Sequence, residues 1–176
     1  MKKLAIVAIA VAMITGLGIG SASAASSLNA GTVGINVGFG DSALGNTGVI
    51  TLSGKYFVLN DLAVVAGVGM QASSGDLDAR YFSLSAGVRK YFRTDDFAPF
   101  LEGKFSYISE NIDAKGIDST MADFSANFGA EYFLHKQFSI EGSVGLGLGS
   151  VDNKITNQDY TYFGTHTVGV SANFYF

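Results

Sequence analysis

The sequence predicts an all-β fold, an eight-stranded antiparallel up-and-down transmembrane β-barrel. Three observations carry this. Apolar residues alternate with small or polar ones along most of the chain, the period of a strand with two different faces. Only 15 % of residues are charged, 11 Lys+Arg against 15 Asp+Glu, where soluble domains carry about 25 %. Beyond residue 24 no apolar run approaches the roughly 18 residues of a membrane-crossing helix. With 48 % hydrophobic residues the chain is too apolar to be disordered. So much apolar surface, so little charge and no helix to carry it point to strands that meet lipid.

The first segment is not part of that fold. Lys2 and Lys3 precede an apolar core from Leu4 to Ile14, and Ala22-Ser23-Ala24 has the small-x-small pattern of a cleavage site. Residues 1–24 are therefore expected to be a cleavable signal peptide and residues 25–176 the barrel domain. No Cys is present, and a closed hydrogen-bonded sheet needs no disulfide staples.

The strands follow in order. Val33, Ile35, Val37 and Phe39 alternate with Thr32, Gly34, Asn36 and Gly38. Ile50, Leu52 and Tyr56 alternate with Thr51, Ser53 and Lys55; Val64, Ala66, Val68 and Met70 mark the third strand, and Phe82, Leu84, Ala86 and Val88 the fourth. Leu101, Phe105 and Tyr107 mark the fifth, and Phe124, Ala126, Phe128, Ala130 and Tyr132 the sixth. The seventh carries Phe138, Ile140, Val144, Leu146 and Leu148 on one face; the eighth runs through Val168, Val170, Ala172, Phe174 and Phe176. Each has about the 9 to 11 residues that cross a bilayer at a tilt.

An internal repeat sets the connections. Lys55-Tyr56-Phe57, Lys90-Tyr91-Phe92 and Glu131-Tyr132-Phe133 are each followed by four residues and then by Leu62, Phe97 or Phe138, which opens a new strand. The other connections are polar and mostly longer: Asp41 to Thr47, Ser73 to Ala79, Ser109 to Asp123 and Ser150 to Thr161. Outer-membrane barrels have short periplasmic turns and longer extracellular loops, and an even strand number puts both termini at the periplasmic end. Aromatics fit the same frame. Tyr56, Phe92, Tyr132, Phe138, Phe174 and Phe176 are expected outward near the short turns, and Phe39, Phe82, Tyr107, Phe124 and Tyr162 outward near the long loops, as two interfacial girdles.

On the inner face the sequence places Lys55, Arg89, Glu102, Lys104, Glu131 and Glu141, all within a few residues of a short turn. An eight-stranded barrel is only just wide enough inside for side chains, so these ions are expected to pair. Paired, they form either a closed polar core or a gate that opens a narrow pore by exchanging partners. The face of Arg89 stays open: aligning Tyr91 with Tyr56 would require a bulge after Val88 and would move Arg89 or Lys90 to the other side.

The signal segment, the eight alternating strands, the Leu146-Gly147-Leu148-Gly149 motif and the C-terminal strand ending in Phe176 resemble the small OmpA/OmpX-like outer-membrane barrels. The resemblance spans essentially all of residues 25–176. It implies that Val168, Val170, Ala172, Phe174 and Phe176 form the signal read by the barrel-assembly machinery. No peptidoglycan-binding domain is seen, so a role in anchoring the cell wall is not expected.

The favoured function is a structural or surface-interaction protein of a Gram-negative-type cell outer membrane, with recognition on the loops Ser109 to Asp123 and Ser150 to Thr161. The alternative is a small gated, porin-like channel. Less favoured are a lipid-modifying enzyme, for which a triad of Ser150, Asp159 and His166 can be assembled on paper but nothing orients it, and a soluble lipocalin-like binder, whose exterior would need far more charge. No catalytic residue, cofactor or metal site is assigned; Asp76 with Asp78 and Asp113 with Asp118 read as solvated loop carboxylates. Expected partners are outer-membrane lipids, lipopolysaccharide, the assembly machinery and a surface or host ligand at the loops. The acidic balance argues against nucleic acid, and a monomer is expected.

Overall fold

A computed structural model describes residues 28–40, 49–73, 79–112, 117–154 and 158–176. Eight strands, β1 (Val33–Gly40), β2 (Val49–Leu59), β3 (Leu62–Ser73), β4 (Ala79–Tyr91), β5 (Phe97–Ile112), β6 (Ile117–His135), β7 (Phe138–Asn153) and β8 (Gln158–Tyr175), pair in sequence order. All neighbours are antiparallel and β1 returns to β8, which closes the barrel. The expected fold class is the observed one.

The ladder also gives the stagger. Stepping across paired residues from Val37 through Leu52, Val68, Leu84, Tyr107, Ala122 and Ser150 reaches Thr161, yet Val37 itself pairs with Ala172. The offset of eleven positions from Thr161 to Ala172 includes one extra residue of a β8 bulge, so the stagger is ten. With strand spacing near 4.8 Å and a rise near 3.3 Å, eight strands at that stagger tilt by about 40°.

Inside and outside follow the alternation. Val64, Leu84, Val88, Leu101, Phe105, Phe128, Ile140, Val144 and Leu146 stand about half exposed on the outer wall, a continuous apolar band that water would not tolerate on a monomer. Tyr56, Phe92, Tyr132, Phe174 and Phe176 face outward at the short-turn end, and Phe39, Phe82, Tyr107 and Phe124 also face outward. Tyr162 does not. The β8 bulge shifts register between Ser143↔Gly169 and Gly145↔His166. Upstream of it the parity inverts, so Phe163 is outermost at 74 % exposure while Tyr162 turns inward onto Asp123.

The connections differ from expectation in two ways. The short turns are not three equal four-residue links. Strands β2 and β6 run on through irregular pairs to Leu59 and His135, and only the link from β4 to β5 spans several residues. In that link Arg93 donates to Asp95 at 3.2 Å, and this hydrogen bond holds the Asp95 carboxyl below its ordinary range. At the other end, much of the expected loops Ser109 to Asp123 and Ser150 to Thr161 is strand: β5 reaches Ile112, β6 starts at Ile117, β7 reaches Asn153 and β8 starts at Gln158. Polar residues pair as well above a membrane as apolar ones do within it, so loss of apolar alternation does not end a strand. The expected signal peptide 1–24, the loop from Asp41 to Thr47 and most of the loop from Ser73 to Ala79 lie outside the described residues.

Two apolar clusters occupy the inside. At the end with the short turns, Leu28, Phe57, Ala63, Tyr91, Ala98, Phe100 and Tyr175 pack together, with Phe133 against them. Towards the other end Tyr81, Ile108, Met121 and Val151 form a second cluster, against which Tyr162 packs.

Candidate functional site

Between these clusters the inner positions of five strands converge. Lys55 on β2, Arg89 on β4, Glu102 on β5, Glu131 on β6 and Glu141 on β7 are all buried. Strand periodicity puts each of them inside, and the barrel leaves no room to avoid one another.

Glu141 is the hub of this group. Its carboxylate takes Lys55 Nζ at 2.6 Å and Arg89 Nη1 at 2.6 Å, and it accepts from the amides of Asn36 at 3.3 Å and Asn173 at 3.2 Å. Lys55 also reaches Glu131 at 3.1 Å, and Arg89 reaches Glu102 at 2.7 Å. Glu131 is completely covered and accepts hydroxyl protons from Tyr91 at 2.7 Å, from Tyr175 and from Ser139. The Arg89 guanidinium lies over the Phe100 ring at 3.8 Å. Every carboxylate of the group is thus met by a cation. Such closure offsets the cost of taking ions out of water, which otherwise runs to several kcal/mol each.

The structure brings together five of the six expected lumen ions. Lys104 does not join them. It is half-buried on the inner face of β5 and has no ion pair among the described residues. It lines a cavity of about 200 Å³ above the network, together with Thr51, Ser53, Ser85, Ser106 and Asn127. The open face of Arg89 is also decided. The β3–β4 and β4–β5 ladders run without a register shift, so Arg89 and Tyr91 are inside, while Lys90 is outside and pairs with Asp61. Tyr91 is therefore not the counterpart of the outward Tyr56.

Sequence reasoning missed the neutral members of the network: Tyr91, Tyr175, Asn36, Asn173 and Ser139. The signal was available for Asn36, Asn173 and Tyr175, which sit at inner positions of clearly alternating strands. Asn36 also donates to Asn173 Oδ1 at 2.7 Å and to Ser171 at 2.8 Å, tying β1 to β8 across the seam that closes the barrel.

The remaining candidates stay apart. Ser150 pairs with Thr161 and Asp159 with Asp152; Ser150 and Asp159 are exposed, and the side chain of His166 lies outside the described positions. Among the described residues no three His, Cys, Asp or Glu side chains gather as metal ligands.

Comparison with known proteins places this geometry. The family model described as outer membrane protein beta-barrel domain matches residues 9–174. The chain belongs to this family. The N-terminal β-barrel domain of Pseudomonas aeruginosa OprF is similar in fold: 16 % identity, 84 % of this chain and 98 % of that one covered, TM-score 0.52. Neisserial surface protein A matches at 18 % identity over 81 % and 94 % of the two chains, with TM-score 0.49. Yersinia pestis Ail in a phospholipid nanodisc matches at 18 % identity over 83 % and 99 %, with TM-score 0.47. No curated protein matches the sequence.

A barrel of this family resides in the outer membrane, and its apolar band has the lipid contact that the half-exposed side chains require. Within the last strand, Val170, Phe174 and Phe176 point to that band and Ala172 is partly covered; the side chain of Val168, beside the bulge, lies outside the described positions. Asn173 and Tyr175 point into the lumen network.

Proposed function

We propose that this barrel is a structural or surface-interaction protein whose lumen is closed by its ion pairs and whose recognition is carried at the extracellular end. The observation that supports this reading is the contrast between the inside and the outer end. Five ions, two tyrosines and two asparagines satisfy one another in the lower lumen, while β5, β6, β7 and β8, at 16, 19, 16 and 18 residues, are much longer than the 9 to 11 that a bilayer needs. The surplus stands above the membrane as a wall of paired strands, a rigid base for the links 113–116 and 155–157. Rigid scaffolds of this kind position binding loops. The partners that fit are lipopolysaccharide, a host surface or another envelope protein.

The reading further includes removal of residues 1–24 on export, recognition of Val168, Val170, Ala172, Phe174 and Phe176 by the barrel-assembly machinery, a monomeric state, and no catalytic residue or cofactor. A second reading, a small gated channel, is favoured by one observation: Lys104 stands two residues above Glu102 on the same face, beside a polar cavity, without an ion pair among the described residues. Single-channel recording of the refolded barrel in planar bilayers separates the two. A heat-modifiable, folded barrel that stays silent supports the closed lumen. Steady current steps that change with Glu131→Gln support the channel.

A further inference from the structure

The short-turn end of the lumen is occupied by a side chain that no strand supplies. Leu28 precedes β1, yet it is 1 % exposed and belongs to the cluster of Phe57, Ala63, Tyr91, Ala98, Phe100 and Tyr175. The chain reaches this position by doubling back beneath the barrel. Thr32 donates to the Asn29 carbonyl at 3.0 Å, closing a turn whose Gly31 has φ of +89°, a conformation that residues with a Cβ rarely adopt. Gly31 then donates to the Phe57 carbonyl at 2.8 Å, Phe57 donates back to Thr32 at 3.0 Å, and Ala30 donates to Asn60 Oδ1 at 3.0 Å. Three hydrogen bonds to β2 and its turn thus fasten a five-residue strap whose first side chain fills the floor of the lumen.

We propose that Leu28 is a cork: residues 28–32 form an N-terminal strap that closes the periplasmic end of the lumen and can leave while the ion pairs stay in place. The geometry separates these functions. The hydrogen bonds that fasten the strap run to the Phe57 backbone and the Asn60 side chain, and the ion pairs run among β2, β4, β5, β6 and β7. Removing the strap would uncover Phe57, Tyr91, Phe100 and Tyr175, the underside of the layer that carries Lys55 and Glu131. Access to the network from the periplasm is therefore set by a segment lying just beyond the expected cleavage point, and not by the barrel wall. This goes beyond the proposed function, because it stands whether or not the network ever conducts.

The sequence has no Cys, so one introduced thiol reports the site. Ala98 is fully covered beside Leu28, and Ala98→Cys is placed in the otherwise unchanged protein in isolated outer membranes. The probe is a charged, membrane-impermeant methanethiosulfonate. With Leu28 present the thiol should react slowly. Leu28→Gly should raise the rate at least tenfold, and Gly31→Ala, whose new Cβ meets nothing within 4 Å but whose backbone is strained, should raise it severalfold without altering any lumen side chain. Heat-modifiability on gels establishes that each variant is folded, and Ala63→Cys repeats the measurement should Ala98→Cys itself fail to fold. A rate in folded barrels that neither substitution changes would overturn the cork; acceleration by both supports it.

Discussion

Replacing Glu141 by Gln asks whether the lower lumen is held by charge or merely by shape. The side chain keeps its size, but one carboxylate oxygen becomes an amide donor facing Lys55 and Arg89, each now 2.6 Å away. Removing one partner of a buried ion pair costs about 3–5 kcal/mol. Here both cations keep a second carboxylate, Lys55 with Glu131 at 3.1 Å and Arg89 with Glu102 at 2.7 Å. The loss should therefore fall at the lower end of that range, about 3 kcal/mol. Among the described residues Glu102 pairs with Arg89 alone, and Arg89 would still have Glu141, so Glu102→Gln should cost less, about 1–2 kcal/mol. The assay is denaturant titration of the barrel in lipid vesicles with the folded fraction read from gel mobility, since the chain has no Trp to serve as a fluorescent reporter. A Glu141→Gln barrel within about 1 kcal/mol of the parent, or one no weaker than Glu102→Gln, would refute the reasoning and assign the stability of the lumen to hydroxyl and amide contacts.

Further expectations follow from the two faces and the close approaches. Val144→Arg and Leu146→Arg, on the lipid side, should each cost about 2–4 kcal/mol, whereas Ser143→Arg, at the cavity, should differ from both; equal losses at all three would break the assignment of faces. Gly129→Ala would press a Cβ to 2.5 Å from both the Gly142 carbonyl and Phe100 and should cost about 1–3 kcal/mol; Gly164→Ala meets nothing within 4 Å and should be neutral in the same titration. Tyr162→Phe removes the 2.6 Å hydrogen bond to Asp123 and should cost about 1 kcal/mol or more, while an outward Tyr162 would give no effect. Glu131→Gln should destabilise the barrel or open it to ions, and an unchanged midpoint together with unchanged silence in bilayers would remove Glu131 from the network.

What could be read in the sequence is what lipid constrains. Inside a bilayer a strand residue has one face in hydrocarbon, so Val144, Leu146 and Leu148 must alternate with Ser143, Gly145 and Gly147, and strand number, faces and the five converging ions all follow. Where the constraint relaxes, the reading fails. The β8 bulge is one case, because Tyr162-Phe163 offers an aromatic to either side and a one-residue slip leaves the pattern equally plausible; only pairing with Gly149 and Leu148 decides which ring turns in. The strands above the membrane are another, since Glu110↔Ser119 and Asn153↔Gln158 are good pairs in water but carry no apolar signal. Tyr91 and Phe100 are a third: the rule that inner residues are small or polar holds for the middle of the lumen and breaks at its floor, where the chain must end its polar core against apolar packing.

These three failures have one origin, and it separates the parts of the molecule by task. The alternating band needs only to satisfy lipid, so many sequences would serve and its residues say little beyond location. The floor and network are different, because buried ions admit few arrangements: Glu141 can serve Lys55 and Arg89 together only if β2, β4 and β7 hold the stagger observed, and Asn36 with Asn173 can bridge the seam only if β1 closes on β8 in that register. A shift by one residue at the seam would turn Asn173 and Tyr175 to lipid and bring Ala172 and Phe174 inward, taking the Tyr175 hydroxyl at 3.2 Å from Lys55 and the Asn173 amide at 3.2 Å from Glu141. The network therefore specifies the register of the barrel as much as it fills the lumen, and a wall whose register is fixed from within is free to vary at the outer ends of β5 to β8.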